Sequence, residues 1–194
     1  MQKTNIKSLL FVIVLLFVIA CSPKKANTDL SKTVYTDTSY HISTKEIKSN
    51  KIPDSVFNMP NLLTLNIKGM DCDYGNHDSC FMIGEIPANI KNLTALTSLS
   101  LTVNAIHSVP IEIAELKHLK SIDLTDNAGL NNIDNIEKLD SLEYLYLYGC
   151  GLTKLPVNIG NLHHLKELAL TGNNIDAAEQ TRIKKALPNC IIKF

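Results

Sequence analysis

Three tyrosines, Tyr144, Tyr146 and Tyr148, occupy alternate positions within the stretch SLEYLYLYGC. The chain has six tyrosines and no tryptophan, so half of its tyrosine lies within five residues. Tyrosine rings supply rigid contact area, and their hydroxyl groups supply hydrogen bonds. If the stretch is a strand, alternate side chains point to one face of it. The spacing is therefore typical of a binding surface or, alternatively, of plain strand propensity.

A second stretch that could carry chemistry is MDCDYGNHDSCF, at positions 70–81. Cys72 and Cys80 bracket it, and in an exported protein a disulfide between them is the natural interpretation. An oxygen-rich metal loop is the alternative, with ligands from Asp71, Asp73, Asn76, His77 and Asp78. These residues miss the Gly and Glu spacing of a calcium loop. We therefore favour a disulfide-closed loop and expect no metal.

Catalytic constellations are absent from the sequence. There is no nucleophile elbow and no phosphate loop, and Asp123 and Asp126 have no His or Ser in a catalytic arrangement beside them. His163 and His164 are adjacent and lack the spacing of a zinc motif. The formal net charge is zero and no basic patch is present, which argues against nucleic-acid binding. We expect a protein that is not an enzyme and has no cofactor.

The amino terminus predicts export and a lipid anchor. Residues 1–20 combine a basic start with an apolar run that is short for a membrane span, as in a signal peptide. The following VIAC, ending at Cys21, resembles the lipobox of bacterial lipoproteins, a family in which this cysteine is acylated. Ser22 resembles lipoproteins sent to the outer membrane. The alternative is an ordinary signal peptide with an incidental cysteine. We expect residues 21–38 to form the lipidated cysteine and a flexible tether.

The rest of the chain is organised by an internal repeat. A leucine begins each copy at 96, 119, 142 and 165, spaced 23 residues apart, and an earlier copy begins at Leu62. Each copy follows L-x-x-L-x-L-x-x-N-x-L. Segments such as IPANIKNL, VPIEIAEL and LPVNIGNL fill the interval between copies.

This pattern resembles the leucine-rich repeat family over about residues 50–194. The resemblance implies an α/β solenoid, with a parallel sheet on the concave face and short helices or turns on the convex face. We expect residues 39–194 to form this domain, with an irregular amino-terminal cap near YHISTKEIKSNKIP and a carboxyl-terminal helix and strand. One repeat cannot bury its own leucines, so stacked copies must share a core.

Some copies depart from the pattern, and the third has one residue too many before Leu130 and one too few between Ile133 and Ile136. Cys150 and Met70 stand at the position of the inward asparagine, whose amide can pair turn backbone groups. In the third copy we expect Asp134 to replace the proline. Cys150 and Cys190 occupy inward positions and are expected to be free, buried thiols.

The repeat register places the tyrosines. Leu145 and Leu147 are inward, so all three tyrosines point out of the concave face, where neighbouring copies carry mostly Ser, Thr and Ala. Asp123, Asp126 and Glu167 flank the rings. Rings with carboxylates suit a peptide or protein segment that carries Lys or Arg, or a carbohydrate, and the residues do not decide between these ligands. A purely structural envelope protein is a further alternative, and a metal-dependent enzyme accessory that uses the 71–81 insert as its metal site is another. We expect a monomer.

Overall fold

Seven strands form one parallel sheet, in which each strand pairs with its neighbours in chain order. The computed structural model describes residues 38–69 and 80–194. The strands are β1 Ser39–Ser43, β2 Thr64–Lys68, β3 Ser98–Ser100, β4 Ser121–Asp123, β5 Tyr144–Tyr146, β6 Glu167–Ala169 and β7 Ile191–Lys193. This sheet and the short helices behind it confirm the predicted α/β solenoid.

Short 3-10 helices stack along the side of the sheet that is opposite the concave face. They span Asp54–Asn58, Ala88–Asn92, Ile111–Glu115, Asp134–Lys138 and Ile159–Asn161. A proline usually precedes the helix and accepts its first backbone bond, as Pro110 does from the N–H of Ile113 at 3.2 Å. Proline suits this place because its fixed φ is compatible with a helical start.

The third copy corrects the expectation for Asp134. Ile133 accepts the first backbone bond of the helix, from the N–H of Ile136 at 3.0 Å. Its side chain is also buried, as that of Val109 is in the preceding copy. Ile133 thus supplies both the buried side chain and the carbonyl that begins the helix, which come from two residues, Val109 and Pro110, in the preceding copy. The third copy therefore keeps its length although it has an extra residue before Leu130. Asp134 is the first residue of the helix and not its proline substitute.

The core consists of columns of apolar side chains that run from strand to strand. Leu99, Ile122, Leu145 and Leu168 are register partners in β3 to β6, and all four are buried. Each of these side chains is therefore covered by the equivalent side chains of the copies before and after it. Burial of one such side chain contributes about 1.5–3 kcal/mol.

Buried asparagines join the backbones of successive copies. The amide of Asn127 donates to the carbonyls of Leu101 at 2.9 Å and Leu124 at 2.8 Å. Its Oδ1 accepts the N–H of Ile106 at 2.9 Å. Buried backbone groups that lack partners are costly, and one side chain here pairs three of them. Asn104 and Asn173 make equivalent bonds.

Cys150 replaces this asparagine without leaving an unpaired group. Its thiol donates to the carbonyl of Leu124 at 3.1 Å. The N–H that an asparagine would accept belongs to Leu130, and it bonds within its own turn to the carbonyl of Asn127 at 2.9 Å. The side chain at position 150 therefore needs only to donate a hydrogen bond, and no acceptor is required there. Met70, the other replacement, lies outside the described residues.

The amino-terminal cap is more regular than expected. β1 pairs with β2 from Ser39 to Ser43, and helix α1 follows at Thr44–Ile47. Thr44 is buried and its hydroxyl donates to the carbonyl of Phe81 at 2.5 Å. The irregular cap that the sequence suggested is thus wrong over this segment. A strand forms here because the edge of β2 offers unpaired backbone groups.

The carboxyl-terminal cap confirms the predicted helix and strand. Helix α2 spans Ala177–Ala186, and Asp176 caps it by accepting the N–H of Glu179 at 2.8 Å. Arg182 donates to the carbonyl of Leu155 at 3.0 Å, which holds the helix against the last repeat. No helix among the described residues is long and apolar enough to cross a membrane.

The facing of β5 can be tested by paired truncations. Leu147 is fully buried, so Leu147→Ala should lower the free energy of unfolding by about 2–5 kcal/mol. Tyr146→Ala should change it by only about 0.5 kcal/mol, because the ring lies outside the core. Urea denaturation followed by circular dichroism measures both. The opposite order of the two losses would mean that the strand faces the other way.

The asparagines that join successive copies give a second testable prediction. Asn173→Ala removes the side-chain partner of three partly buried backbone groups, the Leu147 carbonyl and the N–H groups of Cys150 and Leu152. The Leu170 carbonyl keeps the backbone N–H of residue 173 at 3.3 Å. Because each unpaired buried group costs about 1–3 kcal/mol, the loss of stability should be about 3 kcal/mol or more. Cys150→Ala should cost less, since a thiol is a weak donor. Equal losses in the same denaturation assay would contradict the account of Cys150.

Candidate functional site

The three tyrosines lie side by side on the concave face. Tyr144 and Tyr146 are half-buried, and Tyr148, just after β5, is 47% exposed. Leu145 and Leu147 between them are fully buried, as the alternation predicts. We call these three side chains the tyrosine ridge.

Each ring of the ridge has a small residue beside it in one adjacent copy. Tyr144 has Ser121 of β4 as its register partner on one side, and Tyr146 has Ala169 of β6. The ring of Tyr148 reaches Gly172, where an added Cβ would lie 3.6 Å from its Cζ. Each ring therefore stands next to at least one much smaller residue.

The three predicted acids occupy different places around the ridge. Asp123 is the register partner of Tyr146, and its Oδ1 accepts the N–H of Thr125 at 3.0 Å. Glu167 is the register partner of Tyr144 on the other side. Asp126 lies in the turn after β4 with a left-handed φ of 58°. It is therefore at the edge of the concave face and not at its centre.

Glu167 has a partner within the protein that the sequence analysis missed. The Nζ of Lys193 in β7 lies 2.6 Å from its Oε1. The hydrogen bond and the negative charge of Glu167 raise the pKa of Lys193. Among the described residues, no ion pair includes Asp123 or Asp126.

The environment of Tyr146 keeps its hydroxyl protonated. Burial is the main cause that raises the pKa of Tyr146, and the negative charge of Glu167 adds to it. The hydroxyl is therefore a hydrogen-bond donor at neutral pH and above.

A charged rim that the sequence analysis also missed borders the ridge at the start of the strands. Glu143 pairs with Lys166 at 2.5 Å and with Lys120 at 3.3 Å. The Nζ of Lys166 lies 5.9 Å from the centre of the Tyr144 ring. The sequence contained a signal for this rim, because Lys120, Glu143 and Lys166 occupy the same position in successive copies and alternate in sign.

The remaining histidines and cysteines that the sequence analysis considered can be placed where the structure describes them. His163 and His164 are both exposed. Cys150 is buried, whereas Cys190 is only partly so; both thiols are free, and burial raises the pKa of each to about 11. Such thiols are poor nucleophiles at neutral pH. The described residues contain no group of three or more His, Cys, Asp or Glu that could hold a metal ion.

Two predicted sites lie partly or wholly beyond these residues. Cys21 and Cys72 are outside the described residues, so the lipidated cysteine and the Cys72–Cys80 disulfide stay predictions. The residues of the alternative metal loop, between positions 71 and 78, also lie outside the described residues, so the expectation of no metal there stays a prediction. Cys80 itself is described and is not one of the free thiols.

Comparisons with known proteins find similarity to leucine-rich repeat proteins. A profile of the leucine rich repeat family matches residues 94–152. A solved LRR protein of Leptospira interrogans is 31% identical, with a TM-score of 0.61, over 74% of this chain and 34% of that chain. The leucine-rich repeat domain of the type III effector XopL is 25% identical, with a TM-score of 0.57, over 74% of this chain and 56% of that chain. No curated protein matches the sequence.

These similarities include most of this chain but only part of each known protein. The chain spans about a third of the Leptospira protein and just over half of the effector domain. Both similarities include about three quarters of this chain.

Proposed function

We propose that this leucine-rich repeat protein is a noncatalytic binding protein whose concave face holds a protein or peptide ligand. Domains with this fold commonly bind proteins or peptides. The observation that carries the proposal is the tyrosine ridge, where three rings stand together among small and acidic residues. Aromatic rings that are at least partly exposed and lie outside the core are enriched at interfaces.

The chemistry of the ridge favours a protein or peptide ligand. Tyrosine buries much area at low entropic cost, because its side chain has only two rotatable bonds. Its hydroxyl can pair with the backbone groups of a ligand. Asp123 and Asp126 add negative charge on one side, which favours a ligand with Lys or Arg. Charges of this kind tune association rate and salt dependence more than affinity.

Affinity capture tests the tyrosine ridge. The mature chain and a triple variant, Tyr144→Ala, Tyr146→Ala and Tyr148→Ala, are immobilised and exposed to envelope and secreted proteins. The matched control is a double variant, Ile111→Ala with Val157→Ala, because these two apolar residues are 51% and 85% exposed on the helical side. A protein ligand should bind the wild type and the control, and should be lost by the triple variant.

The affinities of single variants for the captured ligand measure how much each residue contributes to binding. Tyr146→Ala should weaken binding about thirtyfold at unchanged stability, because central aromatic anchors commonly contribute about 2 kcal/mol or more. Asp126→Asn should weaken it mildly, and most at low salt. Binding that survives in the triple variant but is lost in the Ile111 and Val157 control would assign the function to the helical side. Tyrosine-dependent binding on a glycan array, with no protein ligand, would replace this proposal with carbohydrate binding.

We also propose that the domain is displayed from a bacterial membrane, the outer membrane in particular, by a lipid on Cys21. The support is the short apolar run followed by VIAC and Ser22. One acyl chain alone binds a membrane only marginally, so several chains would be needed for stable anchoring. The polar segment that follows would act as a tether for the repeats.

Fatty-acid labelling tests this anchor. Cys21→Ser should abolish incorporation of labelled fatty acid and leave the chain unprocessed or released from the lipid fraction. Cys190→Ser is the matched control, because it removes a thiol that is far along the sequence from the signal. Normal labelling of the Cys21→Ser protein would refute the lipid anchor.

A further inference from the structure

We propose that the ligand is an extended, basic chain segment that lies along β5, with alternate side chains against the tyrosine ridge and a lysine or arginine on Asp123. This inference rests on the proposed function and specifies the backbone conformation, the direction and the charge of the ligand.

The direction follows from the position of the rings. All three tyrosines belong to one strand segment, so the line that joins them follows the strand axis. The parallel pairing continues to Tyr148, whose carbonyl accepts the N–H of Asp126 at 2.8 Å. A ligand that crossed the strands would pass from Asp123 to Tyr146 to Ala169 and would meet one ring only. A narrow ligand therefore contacts all three rings only if it runs along β5.

The spacing of the rings selects an extended ligand. Alternate residues of a strand lie about 6.6 Å apart, since the rise is about 3.3 Å per residue. An extended ligand has the same spacing, so its residues i, i+2 and i+4 match the rings one to one. A polyproline II ligand repeats one face about every 9 Å, and a helix about every 5.4 Å. Neither conformation stays in register over the three rings.

The aromatic part of the concave face is one side chain wide. The outward neighbours of the ridge are Ser121, Asp123 and Thr125 on the β4 side, and Glu167, Ala169 and Thr171 on the β6 side. None of them is aromatic, so a single extended segment covers the rings and can reach Asp123 beside them.

The charges place the cation of the ligand on one side. Glu167 already pairs with Lys193 at 2.6 Å, so the β6 side is neutralised. Asp123 and Asp126 have no ion-pair partner among the described residues, so the β4 side presents uncompensated negative charge. A basic residue at i+2 can lay its stem on Tyr146 and reach Asp123 in the adjacent strand. The Glu167–Lys193 pair shows that a lysine fits against a carboxylate beside the rings.

Selection from a displayed library of random twelve-residue peptides tests the inference on the full mature chain. The selection is repeated with the triple tyrosine variant as a counter-screen. Tyrosine-dependent peptides should share large side chains at i and i+4 with Lys or Arg at i+2. In a synthetic copy of the best peptide, moving the basic residue to i+3 should weaken binding at least tenfold.

Two protein variants test the position of the cation. Asp123→Asn should weaken the peptide about tenfold, and the effect should shrink at high salt. Asp134→Asn is the matched control, because Asp134 is an exposed acid in a helix on the opposite side of the sheet. Lys193→Gln should leave binding unchanged or strengthen it, since it frees the carboxylate of Glu167.

The outcomes separate this inference from the proposed function. Tyrosine-dependent peptides with a three-residue period, with no period or with acidic residues would overturn the extended basic segment but keep the tyrosine ridge as a peptide site. An unchanged affinity of the Asp123→Asn protein would overturn the place of the cation. Selected peptides that bind the triple variant equally well would overturn both the inference and the ridge.

Discussion

The buried asparagine at the end of a repeat strand is the interaction on which the rest of the structure depends. Each turn leaves backbone groups that face the core and that the sheet does not pair. Asn127 pairs such groups from its own copy and from the copy before it, through bonds of 2.8 to 2.9 Å. The amide has donors and an acceptor on one short side chain, so it can link several backbone groups at once. Adjacent copies are thereby held in one register.

That register determines which outward side chains become neighbours. Because the inward positions align from strand to strand, as Ile122 and Leu145 do, Asp123 must lie beside Tyr146. The outward residues themselves contribute little to the core, so they can vary without loss of the fold. A binding surface can therefore form on the concave face at low cost in stability. The tyrosine ridge is the part of that face where large rings replace small side chains.

Cys150 shows how local changes in one copy are absorbed by the next. The extra residue before Leu130 lets its N–H bond inside its own turn, which removes the need for an acceptor at position 150. Ile133 then restores the length of the third copy, because this one residue provides both the buried side chain and the carbonyl that accepts the first bond of the helix. The departures of the third copy and the missing asparagine of the fourth are therefore one linked change. The strand that carries the ridge follows directly after the third copy and keeps its register.

The sequence by itself determined the repeat, the inward leucines and the outward direction of Tyr144, Tyr146 and Tyr148. These depend on short-range periodicity, because a strand alternates its side chains whatever surrounds it. It did not predict β1, because strand formation there depends on the open edge of β2, which is distant in sequence. Nor did it predict the pair between Glu167 and Lys193, which exists only because the last strand docks on β6. The tertiary structure alone thus decided which carboxylates beside the ridge are neutralised, because long side chains meet across strands and not along the chain.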